Sequence, residues 1–117
     1  MNPKGFDTES SYRAKIKEAF DQIEQAFDSV DPDLVECSVQ FGALTLVFAG
    51  NQKCILSAQP SVGQLWMALA SQGRAIHFDF DHPQGVWRDD KSEGIELYSY
   101  LEKFLKEKTG LAISIAP

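Results

Sequence analysis

At 117 residues with 44% hydrophobic composition, the chain is long enough for one buried core and too apolar to be disordered. The longest apolar run, residues 43–49, is interrupted by Thr45 and far too short to span a membrane. The start, MNPKGFDTES, has neither a signal-peptide core nor an arginine-rich leader, so a single cytoplasmic domain over residues 1–117 is expected. The net charge of -6 is placed unevenly: residues 18–52 hold seven acids and no Lys or Arg, which speaks against nucleic acid or an anionic membrane as partner.

In chain order, residues 11–29 are predicted to form a helix. Ile16, Phe20, Ile23 and Phe27, with Ala19 and Ala26, keep the 3.6-residue period and make one apolar stripe. Pro32 disfavours helix at Asp31, so the helix should end just before it. Val35, Cys37, Val39 and Phe41 then alternate with Glu36, Ser38 and Gln40, the pattern of a half-buried strand. Gly42 permits a turn, Leu44, Leu46 and Phe48 alternate again, and Gly50-Asn51 closes a second hairpin before a strand over residues 53–57. Three antiparallel strands in sequence make a meander. Cys37 and Cys54 lack CxxC spacing and read as small buried hydrophobes in strands. The hairpin order puts a strand between them, a gap of about 10 Å that a disulfide does not bridge.

The stretch ILSAQPSVGQLWMA follows, broken at Pro60. Val62, Leu65, Trp66 and Leu69 also fit a helical stripe, but Pro60 and Gly63 favour a strand. On a strand Gln64, Trp66 and Ala68 share one face, and Leu65, Met67 and Leu69 the other. With the leucines in the core, the tryptophan is outside beside an amide, which is the chemistry of a recognition surface.

Ile76, Phe78 and Phe80 alternate with His77, Asp79 and Asp81, His82-Pro83-Gln84-Gly85 has turn chemistry, and Val86-Trp87-Arg88 starts a short strand. From about residue 96 to 109 a second amphipathic helix presents Leu97, Tyr98, Leu101, Phe104 and Leu105. Lys103, Lys106 and Lys108 suit its C-terminal end, and Gly110 stops it. The tail, residues 111–115, is apolar enough to pack on the core. The fold class is therefore α+β: a two-layer sandwich with N- and C-terminal helices on one face of an antiparallel sheet of five or six strands. The other sheet face is open, and Trp66 lies on it.

Asp21, Glu24 and Asp28 lie within about 60° of one another on the first helix. Asp31 and Asp33 follow in the loop and Glu36 points outward from the first strand, so the six form a ridge along one edge. The Glu24–Asp28 pair repels at i,i+4 by roughly 0.2–0.5 kcal/mol, and Asp28 and Asp31 oppose the helix dipole by about 0.3–1 kcal/mol each. Clustered carboxylates that oppose stability point to a cation or a basic partner. Oxygen-only donors fit hard cations such as Fe³⁺, Fe²⁺, Mn²⁺, Mg²⁺ or Ca²⁺, and the spacing is not that of an EF-hand.

These residues resemble the frataxins, and specifically the bacterial frataxin-like proteins. The likeness runs over nearly the whole chain: the acidic first helix, the DPDLVECSVQFGALTLVF meander, then ILSAQPSVGQLWMA, its most specific part, and afterwards GRAIHFDF, the tryptophan of GVWRDD and the last helix. Ser57 departs from the asparagine of many frataxins, and His77 from the arginine of the eukaryotic relatives. The resemblance implies an iron-binding protein of iron–sulfur cluster assembly, holding Fe²⁺ or Fe³⁺ weakly at its surface and monomeric without iron. It implies contact with the cysteine desulfurase and the iron–sulfur scaffold protein, and regulation of cluster formation. It carries the iron and partner surface onto Asp21, Glu24, Asp28, Asp31, Asp33 and Glu36, and a second binding surface onto Gln59, Gln64 and Trp66.

Two other functions compete with the regulator. An interaction module would use the acids only for a basic partner, and a ferroxidase would oxidise Fe²⁺. No nucleophile–base constellation is visible, His77 and His82 are the only imidazoles, and the Glu-x-x-His pairs of a di-iron oxidase are missing. The chain is therefore read as a non-enzyme.

Overall fold

The computed structural model describes residues 3–50 and 52–115, so the predicted Gly50-Asn51 turn lies partly outside the described residues. Helix α1 (Glu9–Ala26) is followed by strands β1 (Val35–Gln40), β2 (Ala43–Phe48), β3 (Lys53–Gln59), β4 (Gln64–Leu69), β5 (Arg74–Asp81) and β6 (Val86–Asp89), then helix α2 (Leu97–Thr109). The six strands pair in sequence order, every neighbour antiparallel. The predicted α+β sandwich is thus observed, with six strands.

One sheet face is the core. Leu44, Leu46, Leu56, Leu65, Met67, Phe78 and Trp87 are buried there against Tyr12, Ile16, Phe20 and Ile23 of α1 and Leu97, Leu101 and Leu105 of α2. Fully burying one such aliphatic side chain stabilises by about 1.5–3 kcal/mol. The segment after Pro60 is a single 3-10 turn (Pro60–Val62) and then β4, with Leu65, Met67 and Leu69 inside, which settles strand over helix. Cys37 and Cys54 both pair with Leu46, from β1 and β3, so a strand does separate them and both thiols are free. Gly110 at φ +76° closes α2 as its sequence predicts. Ile115 is buried and its N–H donates to Glu102 Oε2 at 2.8 Å, so the tail packs down.

Three boundaries differ from expectation. Helix α1 starts at Glu9 because Thr8 and Ser11 form a capping box, each hydroxyl accepting from the other's backbone N–H. It ends at Ala26, several residues before Pro32, so Asp28 is in the turn that follows and is no longer an i,i+4 helical partner of Glu24. Its last turn has no basic residue, and Glu24 and Asp28 oppose the dipole there. Finally Phe41 is not an inward strand residue: β1 stops at Gln40, and Phe41 sits in the turn with φ +51°, fully exposed. A two-residue turn reverses the chain and breaks the strand's alternation.

Candidate functional site

Two exposed regions gather the predicted site residues, and they are built differently. The first is the acidic edge where α1 meets β1. Asp21, one of the six, is ion-paired: Lys17 Nζ lies 2.6 Å from its Oδ2, one turn back along α1. Glu24, Asp28 and Glu36 line one shallow recess beside Cys37, at the junction of α1, the loop and β1. Asp31 and Asp33 lie on the loop above, where Asp31 Oδ1 accepts from the Asp33 N–H at 2.9 Å and the Asp31 carbonyl from the N–H groups of Leu34 and Val35. Asp31 therefore also shapes the turn into β1.

No basic side chain of the described residues lies within ion-pair distance of Glu24, Asp28, Asp31, Asp33 or Glu36. Nor, among the described residues, do three His, Cys, Asp or Glu side chains converge on a point that would hold an ion. The donor set suits a hard, largely hydrated cation shared by one or two carboxylates, not an enclosed metal centre. The neighbouring thiol is protonated near neutral pH, so a metal would have to displace its proton to use it. Burial, with the charge of Glu24, pushes Cys37 up to about 11, and burial pushes Cys54 up to about 12.

The second region is the open sheet face, where Ser57, Trp66 and His77 stand abreast on β3, β4 and β5. Trp66 does face outward, as strand parity requires, but it is half-buried because His77 covers it. The two rings stack 4.1 Å apart at an interplanar angle of 12°. The indole Nε1–H donates to Gln64 Oε1 at 2.8 Å, and Gln64 Nε2 donates to Asp79 Oδ1 at 3.0 Å and Asp90 Oδ2 at 3.1 Å. Gln59 Nε2 donates to Ser57 Oγ at 3.3 Å, so serine still offers a polar contact at that position.

The network is anchored from the core side. Tyr12, on α1 and fully buried, donates its hydroxyl to the Gln64 carbonyl at 2.7 Å and accepts from the Gln59 N–H at 2.9 Å. It thereby joins both ends of the Pro60–Val62 turn. On the outside Gly63, at φ +65°, lies so close to the Lys4 backbone that a Cβ there would be 2.1 Å from the Lys4 carbonyl oxygen. Gln59, Gln64 and Trp66 are thus held by a clamp that sequence reasoning missed, as it missed His77, Asp79 and Asp90 as their neighbours. The alternation of β5 places His77 and Asp79 outward, but only the strand register sets His77 against Trp66. His82 belongs to neither region: its Nε2 donates to the Gly5 carbonyl at 2.7 Å, and its ring meets Phe6 and Phe80 edgewise.

A helix, a six-stranded meander and a second helix, with an acidic edge and a polar open sheet face, define a class of small α+β sandwich. The family model described as a Frataxin-like domain matches residues 6–111, and the chain belongs to that family. The chain is 35% identical over 103 residues to the "Iron-sulfur cluster assembly protein CyaY" of Pseudomonas fluorescens strain SBW25, covering 88% of this chain and 90% of that one. It is 32% identical over 110 residues to the protein of the same name from Paraburkholderia phymatum, covering 94% and 99%. In fold it is similar to the solved frataxin from Psychromonas ingrahamii, with a TM-score of 0.81 at 23% identity over 92% of this chain and 97% of that one. The curated relatives carry the name of an assembly protein and not of an enzyme. No helix among the described residues is long and apolar enough to cross a membrane.

Proposed function

We propose that this chain is a cytoplasmic, iron-responsive regulator of iron–sulfur cluster assembly that acts by binding the cysteine desulfurase and its scaffold and has no catalytic step of its own. Its membership of the family and the name of its relatives support the process. The observation that carries the mechanism is the edge of five carboxylates, Glu24, Asp28, Asp31, Asp33 and Glu36, without an ion-pair partner among the described residues, at the end of a helix whose last turn has no base. Such an edge attracts Fe²⁺ or Fe³⁺ weakly, with Glu24, Asp28 and Glu36 as first ligands and Asp21, Asp31 and Asp33 supplying field. It also attracts a basic protein surface, so iron and partner compete for or share the same charge. The sheet face around Gln59, Gln64 and Trp66 supplies the second, geometrically specific contact.

A second reading has one observation in its favour. Because the carboxylates do not converge, the edge suits a basic partner alone, and the protein would then be an interaction module without iron. Reconstituted cluster synthesis on the scaffold, with and without this protein and across Fe²⁺ concentrations, separates the two. The regulator changes the rate in an iron-dependent way. A change independent of iron supports the interaction module, and no change at any ratio contradicts both.

A further inference from the structure

Phe41 stands at the tip of the β1–β2 hairpin, with φ +51°, and Gly42 follows at φ +76°. Positive φ at both loop positions makes a type I′ turn, whose first position favours Asn, Asp or Gly. A large aromatic residue there is strained, because in the left-handed region its Cβ crowds the following carbonyl oxygen. The ring is also as exposed as in an extended chain, at 103%. Strain and an exposed ring both weigh on the free protein, and neither helps the fold.

The position of this tip gives the ring a use. The Gly42 carbonyl accepts from the Ala58 N–H at 3.0 Å, which fixes the tip next to Gln59, itself paired with Gln64. The neighbouring turn exposes Val62. Among the described residues three large hydrophobic side chains are exposed, and two of them, Phe41 and Val62, belong to the turns on either side of Gln59, while Leu34 precedes the far end of β1. Two exposed apolar side chains therefore flank the Gln59 end of the sheet. An exposed aromatic ring beside a polar floor is the composition of a binding anchor with its hydrogen-bonding surround.

We infer that Phe41 is an anchor for the protein that docks on the open sheet face, its ring entering an apolar socket on a partner that is basic around the socket. The inference rests on reading that face as a partner surface. The basic character follows from complementarity: the net charge is -6, and Asp79 and Asp90 lie within the face. The same charge disfavours an anionic membrane and a second copy of this chain. Phe41 adds to the Trp66 contact a recognition element that depends on the turn holding its unfavourable conformation.

Phe41→Asn tests this, since it gives the turn the Asn-Gly pair that type I′ geometry favours. The variant is compared with the unmodified protein and with Trp66→Ala for thermal midpoint, sedimentation, and affinity for the desulfurase–scaffold complex of the same organism. Phe41→Asn should raise the midpoint by a few degrees while weakening the complex about tenfold or more, the usual effect of losing an aromatic anchor. Unchanged affinity in Phe41→Asn beside weakened affinity in Trp66→Ala overturns the inference and leaves the proposed function standing. A lowered midpoint makes Phe41 part of the fold and overturns it too. Self-association of the unmodified chain that Phe41→Asn abolishes would put a second copy at the tip, against the inference. Failure of the unmodified protein to bind the complex removes the proposed function and this inference together.

Discussion

The acidic edge and the open sheet face differ in how their side chains are held. On the edge the carboxylates are exposed and mostly unpartnered, and their arrangement follows from where α1 stops. On the face nearly every polar group has a named partner, and Tyr12 ties the backbone beneath them to the core. An unpartnered edge acts through charge, over a distance set by salt, and tolerates rearrangement of individual acids. A cross-linked face acts through shape and hydrogen-bond geometry and tolerates little. On the proposed function, attraction and recognition are therefore separable, and substitutions should separate them.

The largest effect is expected from the clamp under the face. Tyr12→Phe leaves the Gln59 N–H and the Gln64 carbonyl without their partner in a part-buried place. It should cost about 2–4 kcal/mol in urea unfolding. Amide signals of Gln59, Gln64 and Trp66 should move while those of Glu24 and Glu36 stay. A shift spread evenly over both regions would mean that they are not independent.

Trp66→Ala comes next. It removes a stacked ring and one hydrogen bond, so stability should fall by about 1 kcal/mol, whereas affinity for the assembly partners should fall by about 2 kcal/mol or more. A stability loss as large as the binding loss would make the ring a structural element of the sheet.

Much of this arrangement is legible in the residues alone. The alternation of Leu65, Met67 and Leu69 against Gln64 and Trp66 fixes which side of β4 faces out, because side-chain direction in a strand has period two. The stripes of both helices and the stop at Gly110 are equally local. What is not legible depends on contacts between distant segments. Trp66 lies against His77 only through the β4–β5 register, and Tyr12 joins Gln59 to Gln64 across 47 and 52 residues of chain. Phe41 is a different kind of miss, since alternation carries it inward but the type I′ turn begins one residue earlier. Asp21 differs for another reason: Lys17, its partner one turn back, lies just before the base-free stretch of residues 18–52.

A smaller effect is expected on the edge. Glu24→Lys with Asp28→Lys places two cations at the C-terminal end of α1, where the dipole favours them. The iron-free protein should become more stable by about 1 kcal/mol. Moderate salt should stabilise the unmodified protein and have less effect on the variant, and binding to basic partners should weaken most at low salt. A less stable variant would show these carboxylates to be structural.

A separate effect appears only at alkaline pH and comes from the two thiols, of which Cys37 lines the acidic recess. Both thiols have folded pKa values raised from 9.0, to about 11 for Cys37 and about 12 for Cys54. The folded chain holds these protons more tightly than the unfolded one, so stability is full below pH 9 and declines as pH rises toward 11–12. Urea melts across that range should show the decline, and Cys54→Ala should flatten it. A melt insensitive to pH between 9 and 11 would contradict the burial argument.

Anaerobic titration of the amide spectrum with Fe²⁺ tests the separation of the two regions most directly. Paramagnetic broadening should begin at Glu24, Asp28 and Glu36, spread along residues 21–36, and spare Gln59, Gln64, Trp66 and His77. The open face offers its own oxygen and nitrogen donors, with His77 Nδ1 3.7 Å from Asp90 Oδ2, so the outcome is not guaranteed by charge alone. Broadening centred on His77, Asp79 and Asp90, or no broadening at the edge, would contradict the account.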